Sequence, residues 1–600
     1  MSASPLPLLV KILFSTLKKS FYYHFVKKPV YLKIGHYMIE NRTAWFLLLF
    51  LMLLVAGMHL LSNSLSYDNF LLVGSDGPYY PLQVRSLLEN GRLAFPDMPL
   101  LFVLEAMAAK ALVLLNAATF EDGILLATRY TASFLSALAI LPVYLIAREL
   151  NGRPAQWSWP SYLVLLFSVM NISTFVSFPS SLLQKNSFAV FWMFLFLYFA
   201  LRLIKYGKQK DLYWSLATVV LCGLTHFGSL AIMMLYSGII AGLWLIRNRK
   251  PASFQPAHFL LALAPVAIPF ALVAALDPVR LFRLVASPLK LFEAPLLLFM
   301  LDGVPFSNFV NPMNFVSSNA LLLFATVAFV LNRKKTGRAE QLFGFSSLIL
   351  AALLLSPFIG FEWASRLQLM AYIPLTVVFF IIFSTKTTLW VKLILSPILG
   401  MAVLLSIAGL FMPRMECMSR QAYAEFREIK KVVPLGKEDL IVGRQDLRLL
   451  SSWEFGSKGI AEYLFTVDDI KDHGRAFLIR QVGGSNLNPN RFVQADVPAL
   501  ARKVFQGEFF ELYDLKDITS WRYGKGRPSF ANGEVLDLQK GYFRVASGPS
   551  GRIKTVRVTK GTKVQLLSGK EELNKGMRVQ VWGHYRPFSL AIQAEAIEEY

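Results

Sequence analysis

Asp76 is the carboxylate in this sequence whose setting best suits chemistry. It lies in the Gly-rich segment 73–89, after the first long apolar run and before an amphipathic stretch over residues 80–88. A carboxylate at a boundary between water and lipid is partly desolvated, which raises its pKa and suits it to accept a proton. A structural alternative also fits, because an aspartate here could cap a helix that begins at Pro78.

Three other side chains are candidates for binding an anion. Arg366 begins a late apolar run, and His226 lies in the turn Gly-Leu-Thr-His-Phe-Gly at residues 223–228. A guanidinium binds two phosphate oxygens from one rigid fork. The alternative for Arg366 is an interfacial arginine that snorkels to water, and for His226 a packed histidine with satisfied nitrogens. Arg280 is a weaker candidate, which better suits an anchor at the interface.

Tyr79, Glu121 and Asp122 have weaker claims to a role in a site. Tyr79 suits stacking on a sugar, although an anchor at the headgroup level is favoured. Glu121 and Asp122 begin an apolar run, where acidic side chains stabilise a helix N-terminus through its dipole. That explanation is stronger than a metal site. Asp76, Glu121 and Asp122 are therefore weak candidates for holding a divalent ion, and the sequence requires no cofactor.

Composition excludes two classes of protein. Of the 600 residues, 55% are hydrophobic and 16% are charged. A soluble domain carries about 25% charged residues, so a wholly soluble enzyme is excluded. The 49 Phe and 22 Tyr residues exclude a disordered chain. The net charge of +23 is explained by cytoplasmic loops that face anionic lipid, and nucleic acid is not expected as a partner.

The apolar runs predict a multi-pass membrane protein. A spanning helix needs about 20 apolar residues. Eleven runs approach that length, namely 44–62, 125–147, 159–178, 187–204, 212–225, 228–246, 258–276, 316–332, 342–359, 367–384 and 390–411. A twelfth stretch, residues 99–115, contains Glu105 and Lys110 and is expected to lie along the interface, because two charges near its centre oppose insertion.

The charges of the connecting loops predict the orientation. With the N-terminus inside, Lys and Arg concentrate in the cytoplasmic loops and the acidic residues concentrate outside. An odd number of spans places the chain after residue 411 outside. We therefore expect a protein of the cytoplasmic (inner) membrane whose C-terminal region lies on the external, periplasmic side.

Four regions follow from these patterns. Residues 1–43 form a basic amphipathic segment, and residues 44–411 form an α-helical membrane domain. Helix and strand patterns mix over residues 412–528, which predicts an external α/β domain. Residues 529–600 contain six short strand-like runs separated by turn residues, which favour a small OB-like β-barrel.

The order of the loops and spans resembles the GT-C superfamily of integral-membrane glycosyltransferases. The external segment 73–89 with Asp76, the two surface helices and the second span ending at Arg148 follow the family's order. The turn containing His226 and the segment 365–374 containing Arg366 match later pieces of its pattern. The resemblance covers about residues 44–411 and implies that Asp76 is the essential acidic residue.

The resemblance implies transfer of a sugar from a polyprenyl-phosphate donor to an external glycan, lipid or protein acceptor. Oligosaccharyltransferases of this superfamily have a paired acidic motif between the third and fourth spans, whereas residues 175–186 contain no carboxylate here. Protein mannosyltransferases have Asp-Glu where this chain has Asp76 and Gly77. These departures favour monosaccharide transfer over en bloc transfer. An oligosaccharyltransferase or glycan ligase, and a non-catalytic envelope scaffold, are the alternatives.

Overall fold

The computed structural model describes most of the chain in segments. These segments are residues 42–66, 71, 76–152, 157–177, 184–247, 271, 274, 291–292, 296, 312–384, 388–410, 418–462, 465–484, 497–498, 500–518, 531–547, 552–566, 572–585 and 591–599. The chain forms two compact units, residues 1–54 and 55–600. Within the first unit, the described residues are the beginning of helix α1, Arg42–Ser66. The predicted amphipathic segment 1–43 lies almost wholly outside the described residues.

Helices dominate the described residues between positions 76 and 410 of the second unit. They are α2 Tyr79–Asn90, α3 Leu100–Leu114, α4 Phe120–Ala137, α5 Ile140–Asn151, α6 Trp159–Ser177, α7 Gln184–Tyr206, α8 Gln209–Thr225, α9 Phe227–Arg247, α10 Pro312–Asn332, α11 Arg338–Leu354, α12 Phe361–Gln368, α13 Tyr372–Ile382 and α14 Leu389–Leu410. Ten of the eleven predicted apolar runs are helical in whole or in part. The remaining run, 258–276, lies outside the described residues apart from two positions.

Five of the described helical segments are long and apolar enough to cross a membrane. They are Phe120–Asn151, Gln184–Tyr206, Phe227–Arg247, Phe315–Lys335 and Leu389–Ala408. Shorter apolar helices cover Phe46–Leu60, Trp159–Ile172 and Arg366–Ile382. The described part of the chain is thus a mostly helical protein with several candidate spans, whereas the number eleven stays a prediction.

An α/β region follows the last long helix. It contains α15 Arg420–Val432, β1 Asp439–Gly443, α16 Gln445–Glu454, β2 Lys458–Ala461, α17 Asp468–Lys471, β3 Arg475–Gln481, β4 Arg502–Gln506 and β5 Phe510–Asp514. The five strands form one sheet in the order β2-β1-β3-β5-β4. β1 is parallel to both β2 and β3, and β5 is antiparallel to β3 and β4.

Among the described residues from 531 onward, the regular elements are all strands. β6 Ala531–Gln539, β7 Tyr542–Ser547, β8 Arg552–Arg557, β9 Lys563–Gln565, β10 Arg578–Tyr585 and β11 Ala591–Glu599 occupy the six predicted runs. Pairing follows the order β10-β6-β7-β8-β11-β9, and β10 also pairs with β11. Buried side chains such as Val535, Phe543, Val556 and Val579 form a core of their own. The OB-like assignment stays a prediction.

One apolar core joins α2 and α3 to the α/β region. Leu82 and Val84 of α2 belong to the same buried cluster as Phe426 of α15 and Leu450 of α16. Burial of apolar surface contributes about 25 cal/mol per Å², so this shared core fixes α2 against the α/β region. α2 is therefore packed against the rest of the protein through its buried residues 80–84.

Candidate functional site

Asp76 lies in a tight turn immediately before α2. The backbone N–H of Tyr79 donates to the carbonyl oxygen of Asp76 at 3.1 Å. Pro78 occupies the N-cap position of α2 and makes no side-chain cap hydrogen bond. Its ring fixes the backbone at φ −73°, which suits the start of a helix. Among the described residues no side chain caps the start of α2, so the interpretation of Asp76 as a helix cap was wrong.

The far end of α2 is also fixed. Gly91 ends the helix in the left-handed region, at φ 66°, and its N–H donates to the carbonyl oxygen of Leu87. Arg85 on the same helix places its guanidinium 3.6 Å from the centre of the Trp453 ring and donates to the Trp453 carbonyl oxygen at 2.9 Å. Arg85 also forms an ion pair with Glu121. These contacts hold α2 against α16 and bring the beginning of α16 close to Asp76.

Four side chains from three parts of the chain surround the half-buried carboxyl of Asp76. Gln445, Arg366, Lys185 and Arg448 all lie close enough to act on its charge. Burial raises the pKa of Asp76, while Gln445 and the three cations act in the opposite direction. The carboxyl is therefore suited to exchanging a proton, and the cations beside it are suited to binding an anion.

Gln445 and Arg448 lie one turn apart on α16. Arg448 Nε donates to Gln445 Oε1 at 2.8 Å. The Arg448 guanidinium lies 5.6 Å from the ring centre of Phe95, which precedes α3. Its Nη1 also donates to the carbonyl oxygen of Gly459 at 3.4 Å. The α/β region thus contributes two polar side chains to the surroundings of Asp76.

Lys185 belongs to a second, more deeply buried polar group. It forms an ion pair with Asp97, which also accepts from the Tyr79 hydroxyl; the two ion-paired side chains are 15% and 5% exposed. Gln83 Nε2 donates to the Tyr79 hydroxyl at 2.9 Å. Burial alone would raise the pKa of Asp97, but the charge of Lys185 and the hydrogen bonds from Lys185 and Tyr79 hold it below its usual value. Asp97 is therefore an anion that keeps Lys185 beside Asp76.

Glu105 lies beneath this group on α3. Its side chain is completely buried, and neither carboxyl oxygen has a hydrogen-bond partner among the described residues. Burial raises the pKa of Glu105 well above its usual value, and the nearby charge of Lys185 only partly opposes this effect. Because an unpaired buried carboxylate is costly, burial favours the protonated form of Glu105. The interfacial position of this helix stays a prediction, and its Glu105 side chain is buried in the protein.

Arg366 is the predicted anion-binding residue that the structure places near Asp76. It lies in the last turn of α12, and its side chain is exposed. Ala364 and Leu367 on the same helix pack against Phe315 and Ile359, which fixes the position of α12. Arg366 is consequently held on a packed helix while its guanidinium is free to meet a ligand from outside.

The other predicted site residues have structural contacts. Tyr79 packs edge-on against Tyr80 and Phe102, and its hydroxyl donates to Asp97, so its role is in packing and positioning. His226 caps α9, because the N–H of Ser229 donates to His226 Nδ1 at 3.0 Å. This contact agrees with the interpretation of His226 as a satisfied structural histidine.

Glu121 and Asp122, in the first turn of α4, also have a local explanation. Thr119 caps α4 by accepting from the N–H of Asp122 at 3.2 Å, and Glu121 lies in the first turn of that helix and pairs with Arg85. Among the described residues, no group of three or more His, Cys, Asp or Glu side chains is placed to hold a metal ion. Arg280, the last predicted site residue, lies outside the described residues.

Sequence reasoning missed Lys185, Asp97, Glu105, Gln445 and Arg448 as members of the site. Lys185 and Asp97 stand in the external segments predicted from the loop charges, so a search for complementary charges in those segments could have paired them. Gln445 and Arg448 stand far along the chain in another predicted region. Their only local feature is an i, i+3 spacing on a helix, which many surface helices share.

Comparison with known proteins gives a distant likeness in structure. No family model and no curated protein matches the sequence. Among solved structures, the Archaeoglobus fulgidus oligosaccharyltransferase tethered with an acceptor peptide containing the NVT sequon is 12% identical, over 74% of this chain and 69% of that chain, with a TM-score of 0.44. ArnT from Cupriavidus metallidurans bound to undecaprenyl phosphate is 11% identical, over 79% and 98% of the two chains, with a TM-score of 0.38. At these values the likeness establishes neither the family nor the activity of this chain.

Proposed function

We propose that this protein is a membrane glycosyltransferase that moves a sugar from a polyprenyl-phosphate donor to an acceptor on the external face. One observation carries the proposal: the half-buried carboxyl of Asp76 lies in electrostatic range of Arg366, Lys185 and Arg448. Glycosyl transfer from a lipid phosphate needs a group that accepts the acceptor's proton and cations that stabilise the departing phosphate. Asp76 and its cations supply both.

The reaction divides these tasks between the carboxyl and the cations. Asp76 accepts the proton of an acceptor O–H or N–H group as the acceptor atom forms a bond to the anomeric carbon of the sugar. The bond between that carbon and the phosphate oxygen breaks, and its electron pair leaves with the polyprenyl phosphate. Arg366 is exposed and suits bidentate binding of the phosphate oxygens. Lys185 and Arg448 add positive charge to the same space.

The membrane setting of the proposal follows from the sequence. The loop charges predict that Asp76 and the regions 412–528 and 529–600 lie on the external side of a cytoplasmic membrane. A donor with a polyprenyl tail must present its phosphate at the membrane surface, since the tail is confined to the bilayer. We propose an OB-like barrel over residues 529–600, whose strand pairings include contacts of β10 with both β6 and β11.

Single-sugar transfer is favoured over transfer of a whole glycan. The segment 175–186, which would have to supply a paired acidic motif, contains no carboxylate. A non-catalytic envelope scaffold is the remaining alternative. The buried ion pair of Lys185 and Asp97 beside Asp76 supports a transferase, because ionisable groups with shifted pKa values cluster at functional sites.

Profiling of lipid-linked sugars tests the proposal. Cells that lack this protein should accumulate one polyprenyl-phosphate sugar, which the purified wild-type protein should consume when an acceptor fraction is supplied. Release of free polyprenyl phosphate in step with sugar transfer is the expected result. An unchanged set of lipid-linked sugars in the deletion strain, together with no transfer by the purified protein, would overturn the proposed activity.

A further inference from the structure

Helices α7 and α8 are joined by a tight turn at the end of a candidate membrane span. The span covers Gln184–Tyr206, and α8 begins at Gln209. Gly207 makes the turn in the left-handed region, at φ 65°, and its N–H donates to the carbonyl oxygen of Leu203 at 2.7 Å. A helix rises 1.5 Å per residue, so about 30 Å separates this turn from Lys185 at the other end of α7. Because that length matches the hydrocarbon core of a bilayer, a spanning α7 places the turn and the candidate site at opposite membrane surfaces.

Two of the four cations in residues 202–210 are paired with acidic side chains. Arg202 pairs with Glu149 at 3.7 Å and with Asp211 at 3.1 Å. Lys205 pairs with Glu149 and with Glu340, both at 3.3 Å. These ion pairs join the end of α7 to α5, α8 and α11. Arg202 and Lys205 therefore hold the helices together, and acidic groups of the protein balance their charges.

The other two cations, Lys208 and Lys210, are exposed. Neither forms an ion pair with any residue that the structure describes. Lys208 places its ammonium group 5.7 Å from the ring centre of Tyr206 instead. The Tyr206 hydroxyl donates to Glu149, which fixes the ring beside Lys208. The turn therefore presents two unbalanced positive charges to its surroundings.

Three aromatic side chains at the same turn are also exposed. Tyr206, Tyr213 and Trp214 are 50%, 65% and 43% exposed. Tyr213 and Trp214 follow Lys210 by three and four residues on α8, so all three share one helix face. Trp214 stacks on Phe199 of α7, with ring centres 5.9 Å apart. Because tyrosine and tryptophan are enriched at the membrane–water interface, these rings indicate that the turn lies at the level of the lipid headgroups.

We propose that Tyr206, Lys208, Lys210, Tyr213 and Trp214 form a binding surface for the headgroup of an anionic phospholipid. The two ammonium groups bind the phosphate oxygens, and the rings contact the glycerol and the upper part of the acyl chains. A phospholipid offers negative charge beside apolar chains, whereas a soluble anion leaves the exposed rings unused. The loop charges predict that this surface faces the cytoplasmic leaflet. It does not depend on the proposed transfer reaction.

Fluorescence quenching by brominated lipids tests the proposal at a single residue. The full-length protein is reconstituted into phosphatidylcholine vesicles that contain a small fraction of brominated phosphatidylglycerol or, in parallel, of brominated phosphatidylcholine with the same acyl chains. The chain has 11 Trp, so the signal of Trp214 is the difference between the wild type and Trp214→Phe. At equal lipid fractions, the anionic lipid should quench Trp214 several-fold more than the zwitterionic lipid does.

Removal of the two lysines should abolish this preference. Each lysine beside an anionic lipid surface contributes roughly fivefold to binding, so Lys208→Gln with Lys210→Gln should lower the affinity for phosphatidylglycerol by about 10- to 30-fold. Lys334→Gln with Lys335→Gln is the matched control, because it removes two exposed lysines from another predicted cytoplasmic loop. The control should leave the quenching of Trp214 unchanged.

Equal quenching of Trp214 by the two lipids, or equal losses in the two double variants, would overturn the proposal. Relief of the quenching by soluble glycerol phosphate would overturn it too, since the lysines would then bind a soluble anion. A preference for the anionic lipid in a protein that transfers no sugar would support this surface and contradict only the proposed function. The two proposals can therefore fail separately.

Discussion

The guanidinium of Arg85 lies 3.6 Å from the ring centre of Trp453 and donates to the carbonyl oxygen of the same residue. This contact joins α2, which follows Asp76, to α16, which begins with Gln445. Arg85 is mostly buried there and pairs with Glu121 as well. The position of Gln445 relative to Asp76 therefore depends on a contact at the opposite end of α16.

Arg85→Ala should destabilise the protein by about 2 kcal/mol, because it removes a largely desolvated cation–π contact. Arg85→Lys should cost less, since it keeps the charge and loses the planar stack. The midpoint of thermal unfolding of the purified protein measures both changes. Arg92→Ala, which removes an exposed arginine just after the same helix, is the control. Equal midpoints for Arg85→Ala and Arg92→Ala would contradict the role given to this contact.

Arg366→Lys should weaken donor binding, because an ammonium cannot reproduce two parallel hydrogen bonds to a phosphate. Loss of a charge-assisted hydrogen bond costs about 1.5–3 kcal/mol, so Arg366→Ala should lower the affinity by roughly 10- to 100-fold. Titration with a polyprenyl phosphate measures the change. Lys334→Ala removes an exposed cation from a predicted cytoplasmic loop and should have no effect. Wild-type affinity in Arg366→Ala would return Arg366 to the role of an interfacial anchor.

Glu105→Gln should make the protein more stable at alkaline pH. The folded state raises the pKa of Glu105 above the ordinary value near 4.5, so the folded protein binds this proton more tightly than the unfolded chain. Stability contributed by Glu105 is therefore complete below that value and is lost as the pH rises above it. The Glu105→Gln protein would carry no such dependence, because an amide does not titrate. Thermal midpoints from pH 5 to 9 measure the difference, with the exposed Glu89→Gln as control. Parallel pH curves for the wild type and Glu105→Gln would refute this explanation.

A tag placed after Tyr600 should be accessible from outside intact cells. The prediction follows from the odd number of spans and from the basic residues of the cytoplasmic loops. Protease treatment of intact and permeabilised cells distinguishes the two sides, and a tag after Met1 serves as the inverse control. Protection of the C-terminal tag in intact cells would place Asp76 on the wrong side for the proposed reaction.

Local patterns predicted much of the fold and part of the site. The apolar runs predicted the helices, and alternating residues predicted β6 to β11, because both signals are contained in a few neighbouring residues. Asp76 and Arg366 were predicted as site residues mainly from the resemblance of their segments to motifs of a known superfamily. The contact between Ser229 and His226 spans three residues, so the cap formed by His226 is also a local feature.

Contacts between distant segments account for what the sequence did not predict. Lys185 of α7 pairs with Asp97, which lies in the loop between α2 and α3, and Gln445 comes near Asp76 because α16 packs on α2. The burial of Glu105 has the same origin. The charge of Glu105 suggested that α3 lies along the interface. Phe102, on the same helix, instead packs in a buried cluster with Tyr80, which turns this face of α3 inward. No spacing within one segment encodes such relationships.

The most direct test is the rate of sugar transfer by Asp76→Asn in purified membranes supplied with a lipid-linked sugar donor. Asparagine keeps the shape of the side chain and its capacity to hydrogen bond, but it cannot accept the acceptor's proton. Loss of a general base lowers a rate by roughly 100- to 10,000-fold. Transfer should fall by that factor while expression and the thermal midpoint stay near wild type. Transfer by Asp76→Asn at the wild-type rate would contradict the proposed mechanism at its centre.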